Sequence, residues 1–270
     1  MQCLTLLALL AAPAAALRAQ APRMSIAVFG ATGLTGREAT YQALERGLEV
    51  RTLCRDPARL LKPLGSCGED ASTTALASDK LSAFTGLVDN YDDVDKVFAS
   101  GDVTGVVISL GGKTKDVGKT MLTDGTANII KAMKKYNVKR VAVVTSIGAG
   151  DSVKQAPFVF KMLMFTVMKS IFTDKNNQEA LFTAPGAIGS DLDYTIVRPG
   201  GLTVDKPTGV INVIEGEAGS IPRADVADFC LGAIMDDKWP YTKMTPCISS
   251  VGGTSWVKDR SAMARDGMKA

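Results

Sequence analysis

The chain has 270 residues, 46% of them hydrophobic and 22% charged, enough apolar material for one substantial core. The net charge is +3 and two of its basic residues, Arg18 and Arg23, fall in an acid-free N-terminal stretch, so the rest is nearly neutral and lacks the basic stripe that nucleic acid requires. Histidine is absent, which excludes His-based triads, His-ligated zinc and imidazole proton shuttles.

Leu4 to Ala16 is a short apolar run closed by the small residues Ala14-Ala15-Ala16, the pattern of a cleavable signal and too short to span a bilayer comfortably. Leu17 to Arg23 is basic and acid-free, so residues 1–23 are expected to be a removable targeting leader, 24–250 a folded domain and 251–270 a tail. Ser25 to Phe29 has the pattern of a buried strand, and Leu34 to Arg46 that of a helix, with Gly47 where a C-cap glycine belongs. Leu48 to Cys54 predicts a second strand, and Asp56-Pro57 an N-cap and first-turn proline for a short helix. Leu61 to Ser82, polar and without a period, is expected to be a surface insertion.

Strands are then expected over Ala83 to Val88, Thr104 to Leu110, Val138 to Thr145, Tyr194 to Val197 and Gly209 to Ile214, with helices over Asp92 to Ala99 and Met121 to Tyr136. The basic patch Lys131-Ala-Met-Lys134-Lys135 reads as a solvated helix face. Strand–helix alternation of this kind specifies an α/β fold, a doubly wound, mostly parallel sheet of Rossmann type.

Gly30, Gly33 and Gly36 stand three apart where the first strand gives way to the first helix, the context that makes such spacing a dinucleotide-binding turn. Gly30 allows the sharp turn, Gly33 lets the backbone approach a pyrophosphate, and Gly36 lets the helix pack on the strand. The amides of Leu34 and Thr35 would sit at the positive end of the helix, where an anion is stabilised. At the end of the second strand a free ribose 2′-hydroxyl wants Asp or Glu, and a 2′-phosphate wants a cation. Arg55 stands there, Asp56 is better used as a cap, and Arg59 follows a turn later, so the expected cofactor is NADP(H).

The ordered set Gly30-Ala-Thr-Gly-Leu-Thr-Gly36, Cys54-Arg-Asp-Pro57, Val107-Ile-Ser-Leu-Gly-Gly112, Val144-Thr-Ser146 and Leu192-Asp-Tyr-Thr-Ile-Val-Arg-Pro-Gly-Gly201 resembles the atypical short-chain dehydrogenase/reductases. Within them it is most similar to the NAD(P)H-binding group of NmrA-like and flavin/biliverdin-IX-beta reductase-like proteins. The resemblance implies that Gly30, Thr32, Gly33, Leu34 and Thr35 hold the pyrophosphate, Arg55 the 2′-phosphate, and Asp89-Asn90 the adenine. It implies Leu110-Gly111-Gly112 along the adenine ribose, Thr145-Ser146 beside the nicotinamide, and Pro199-Gly200-Gly201 against its carboxamide side. The leader, a signal followed by a basic stretch, resembles the bipartite plastid leaders of algae with secondary plastids, with Leu17 standing where those carry Phe; plain secretion is the alternative.

Catalysis in the wider superfamily uses Tyr-x-x-x-Lys, in which the lysine lowers the tyrosine pKa. Here the fourth residues after Tyr41, Tyr91, Tyr136, Tyr194 and Tyr241 are Glu45, Asp95, Arg140, Arg198 and Thr245. Lys175 stands where relatives carry a lysine near the nicotinamide, so Lys175 and Ser146 are the candidates for the reacting end, Lys175 orienting a substrate or ribose; a solvated helix lysine is the alternative. Cys54, Cys67, Cys230 and Cys247 form no C-x-x-C pair and read as reduced core thiols, with no metal site expected.

Phe158 to Phe172 is apolar on nearly every side and interrupted by Lys161 and Lys169. Three readings stay open: ordinary core packing, a substrate wall for a flat ligand made by Phe160, Met162, Met164, Phe165 and Met168, or contact with a membrane surface. Two functions follow. One is an NADP(H)-dependent oxidoreductase passing hydride to a flat conjugated small molecule such as a flavin, quinone or tetrapyrrole. The other is a non-catalytic NADP(H)-binding scaffold or redox-sensing assembly factor with a protein partner.

Overall fold

The computed structural model describes residues 24–71, 73–99, 101–112 and 118–250; the expected leader over 1–23 and tail over 251–270 lie outside them. Ser25–Phe29 forms β1, buried along its whole length. A strand buried at every position and apolar from Ile26 to Phe29 is stable only when covered on both faces, and β1 is central. Its parallel neighbours are β2 (Glu49–Cys54) and β4 (Val103–Ile108), with β3 (Leu81–Thr85) outside β2. Beyond β4 run β5 (Arg140–Val144), β6 (Asp193–Pro199), β10 (Cys247–Ser249) and the antiparallel β8 (Asn212–Val213). The order is therefore β3-β2-β1-β4-β5-β6-β10-β8, the doubly wound, mostly parallel sheet expected. A separate parallel pair joins β7 (Gly201–Thr203) and β9 (Ser220–Pro222).

Helices α1 (Leu34–Glu45) and α7 (Arg223–Met235) cover one face, where Ala39 and Ala43 meet a core that includes Val226 and Ala227. Helices α3 (Tyr91–Ala99), α4 (Met121–Lys135) and α6 (Lys169–Thr183) cover the other, with Phe98, Ile129, Met133 and Phe182 packed among Ile108 and Ile196. Gly47 ends α1 as expected: at φ +81° its amide donates to Leu44 O and that of Leu48 to Ala43 O, which satisfies the last carbonyls.

Several boundaries differ from the sequence expectation. β3 spans Leu81–Thr85, two residues earlier at its start and three at its end than the 83–88 expected. The 61–82 segment is partly tied down. A short helix, α2 (Leu64–Cys67), is held by the buried Glu38 carboxylate, which accepts from Gly65 N, Ser66 N and Ser66 Oγ, and Leu61 pairs with Ala75. The apolar 158–172 stretch divides into α5 (Phe158–Phe165) and the first turn of α6.

Candidate functional site: a cleft at the carboxyl edge of the sheet

Strand order reverses on either side of β1, so the loops after β1 and β4 diverge and leave a crevice, the usual ligand position in such sheets. A cleft of about 1040 Å³ opens there, at the carboxyl ends of β1 to β5. Gly30, Thr32, Gly33, Leu34, Thr35, Arg55, Asp89, Leu110, Gly111, Gly112, Thr145 and Lys175, twelve of the residues singled out from the sequence, line it together.

The glycine turn has room for nothing larger. Gly30 sits at φ +90°, and a Cβ there would lie 2.2 Å from Ser109 O; one on Gly36 would lie 2.1 Å from Gly30 O. Gly33 N donates to Gly30 O at 2.9 Å and closes the turn. Gly33 is also the N-cap of α1, with no side-chain cap and no acid in the first turn. The positive end of that helix therefore meets the cleft without a protein carboxylate, as an anion site requires.

At the β2 end, Arg55 and Arg59 line the cleft. The Asp56 carboxylate is spent as anticipated: it accepts from Ala58 N at 3.0 Å and caps the turn Pro57–Arg59. Arg37 Nη2 donates to Arg59 O at 3.2 Å, while its Nε is buried without a hydrogen-bond partner. Burial, and the charge of Arg59 beside it, lower the Arg37 pKa. A third cation thus backs the two in the cleft. Asn90 is not among the lining residues; its side-chain oxygen accepts from Asp92 N at 3.0 Å at the start of α3.

The opposite end is built around Thr145, immediately after β5. Its hydroxyl donates to Glu179 Oε1 at 2.7 Å, and its carbonyl accepts from Lys175 Nζ at 3.2 Å. Glu179 is in turn gripped by Arg198 through Nε at 3.1 Å and Nη2 at 2.6 Å, a bidentate pair with both side chains buried. Burial pulls the Lys175 ammonium down to about 8, against the opposing pull of Glu179 and Asp174. Asp174, on the same helix, accepts from Leu122 N at 2.9 Å and Thr123 N at 3.0 Å and so caps α4.

A second pocket of about 320 Å³ adjoins this end and shares Leu202 and Arg223 with the cleft. Ser146, Phe160, Gly200 and Gly201 line it, so Ser146 and Gly200 belong to the second pocket and Pro199 is buried at the end of β6, lining neither. Of the five residues named for a substrate wall, Phe160 alone lines either pocket, and Met162 is exposed. Met164 is packed inward with Ile147, Phe172 and Ala218, Met168 leans on that cluster, and Phe165 is exposed.

Arg223 was missed by sequence reasoning. It is the first residue of α7 after Pro222, a cation at the positive end of a helix, and that mismatch is the signal that could have found it. Its Nη1 donates to Thr203 O at 3.0 Å, which fixes the guanidinium between the two pockets. Arg198 lies in the motif Leu192 to Gly201, but nothing in its spacing from Glu179 announces a buried pair.

A family model described as NAD(P)H-binding matches residues 30–237. The chain belongs to that family. It is 29% identical over 223 residues, 78% of this chain and 72% of the relative, to an uncharacterized chloroplastic protein of Arabidopsis thaliana. The anaerobilin reductase ChuY of Escherichia coli O157:H7 has a similar fold, with a TM-score of 0.61 at 22% identity over 84% of this chain and 97% of that one. So has a short-chain dehydrogenase/reductase of Veillonella parvula DSM 2008 solved in complex with NADP, with a TM-score of 0.61 at 17% identity over 86% and 97%. The NAD(P)H-binding family expected from the motifs is thus borne out, as is the fold. Among the described residues no helix is long and apolar enough to cross a membrane, and no group of three His, Cys, Asp or Glu side chains could hold a metal ion.

Proposed function

We propose that the chain is an NADP(H)-dependent oxidoreductase acting on a flat, conjugated small molecule. The observation that carries this reading is the adjacency of the two pockets: a cleft suited to a dinucleotide abuts a smaller pocket, with Leu202 and Arg223 lining both. The residues fit the cofactor. Unencumbered amides at the start of α1 suit a pyrophosphate, and Arg55 and Arg59, backed by the buried Arg37 with its unpartnered Nε, suit a 2′-phosphate. Asp89 lies at the same end for the adenine, with Leu110, Gly111 and Gly112 beside the ribose, Thr145 and Lys175 toward the nicotinamide, and Gly200 on its carboxamide side, backed by the buried Pro199 that lines neither pocket.

When bound, the dihydronicotinamide would supply the hydride. The protein's own share is proximity and a dry wall. Glu179 and Arg198 hold Thr145 rigid, Lys175 holds the Thr145 carbonyl and orients what lies beside it, and Phe160 with Ile147 and Pro157 keeps water from the second pocket. A flat acceptor carrying polar groups at its edge suits a lining that sets Ile147, Pro157, Phe160 and Leu202 beside Ser146, Thr203 and Arg223, and the fold is shared with a protein that reduces anaerobilin. The wall extends behind Phe160 through Met164 and Met168.

One observation favours a non-catalytic scaffold instead: no tyrosine lines either pocket, so the usual proton donor of the superfamily has no counterpart there. NADPH oxidation against a panel of flavins, quinones and tetrapyrroles separates the two. Turnover with any of them supports the enzyme; tight NADPH binding with no turnover across the panel hands the site to the scaffold reading. We assign the chain to the plastid, on the likeness to a chloroplastic relative and the leader-like pattern of 1–23. The native protein should then begin at Leu17 or beyond by N-terminal sequencing, and an intact Met1 would contradict the assignment.

A further inference from the structure

Among the described residues the large hydrophobic side chains left exposed are scattered singly, except on one element. Phe158, Val159, Met162, Leu163 and Phe165 of α5, with Val167 just after it, are 38–80% exposed and contiguous. On a 3.6-residue repeat they fall on one side of the helix, while Phe160 and Met164 on the other side dock it against Ile147 and Phe172. The helix is thus apolar toward its anchorage and apolar toward solvent. Contiguous apolar surface of this kind marks a docking site.

The surrounding charge says what docks. Lys154, Lys161 and Lys169 flank the patch, and no Asp or Glu occurs between Asp151 and Asp174. The Lys161 ammonium donates to Lys154 O at 3.2 Å, so it sits at the rim of the patch beside the exposed Lys154. Apolar side chains rimmed by lysines, on a segment with no carboxylate of its own from 152 to 173, complement a lipid surface with anionic headgroups; the nearest acidic segment, Glu215 to Glu217, packs behind Gln155 on the anchored side. The geometry points to α5 as an interfacial membrane-docking helix that lies in the plane of an anionic lipid surface and inserts Phe158, Met162 and Phe165 among the acyl chains. Pro157 and Phe160, which continue the same segment, line the second pocket, so docking brings the pocket mouth to the lipid boundary. Docking stands whether or not the site turns over, and its test does not use activity.

The full chain is sedimented with vesicles of phosphatidylcholine alone and of phosphatidylcholine mixed with phosphatidylglycerol, beside variants at exposed positions whose melting confirms that they fold. Binding should favour the anionic vesicles. Lys154→Gln and Lys169→Gln should each weaken it about fivefold, and Phe158→Ser with Phe165→Ser about tenfold together. Because the N-terminal stretch is itself apolar, a positional readout is needed: the Phe158→Trp fluorophore should be quenched by brominated acyl chains. A tryptophan at exposed Ile188, in the segment between α6 and β6, should not. No sedimentation, sedimentation with the tryptophan at position 158 unquenched, or a dimer that buries this face and ignores vesicles would each overturn the proposal.

Discussion

Replacing Lys175 with Met tests the electrostatics of the reacting end. Burial brings its ammonium from 10.5 to about 8, so between those values the folded chain binds fewer protons than the unfolded one. Stability therefore rises with pH across that window, and the cost of the buried charge is fully present below about pH 8. A pKa held that far below the ordinary lysine value corresponds to about 3 kcal/mol, reduced because the side chain is only half-buried. The lost hydrogen bond to the Thr145 carbonyl takes back about 1 kcal/mol. Lys175→Met should then stabilise the chain by about 1–2 kcal/mol near pH 7, a gain that fades as the pH approaches 10.5. Urea unfolding at a series of pH values reads this directly. A variant less stable than wild type at pH 7, or a difference independent of pH, would refute the reasoning.

Gly30→Ala forces a Cβ onto the Ser109 carbonyl at a backbone angle that side chains resist, so it should cost at least about 2 kcal/mol of stability and most of the NADPH affinity; a folded variant with full affinity would count against the turn geometry. Glu179→Gln leaves the buried Arg198 with only the exposed Asp151 carboxylate, to which its Nη1 donates, and urea unfolding should show a loss of about 3 kcal/mol, whereas an unchanged midpoint would show that the pair is dispensable. Phe160→Asp should abolish reduction of the acceptor while NADPH titrates normally, provided circular dichroism shows the chain folded; equal loss of both would mean that the second pocket is not separate from the cleft.

The elements nearest the cofactor were legible because several local signals agree there. From Ile26 to Glu45 an apolar run, then three glycines, then a helical period leave one reading, and the Gly47 cap and Asp56 cap follow from backbone rules alone. β3 was misplaced because it has no fully buried residue, so no hydrophobic pattern marks its ends. α5 was illegible for the opposite reason: an apolar side chain toward the core and one toward solvent look alike in sequence, so Met164 and Phe165 were grouped although one is buried and the other exposed. The Thr145–Glu179–Arg198 network and the placement of Arg223 depend on strands and helices far apart in the chain, which only the fold brings together.

The central claim is that the cleft is built for NADP(H), and paired titrations of wild type and Arg55→Ala with NADPH and NADH test it most directly. Removing a charge-assisted contact to the 2′-phosphate is worth on the order of 1.5–3 kcal/mol, about ten- to a hundredfold in Kd. The wild type should bind NADPH more tightly than NADH, and Arg55→Ala should lose that preference while NADH affinity changes little. Equal weakening for both cofactors, or a wild type that prefers NADH, would contradict it.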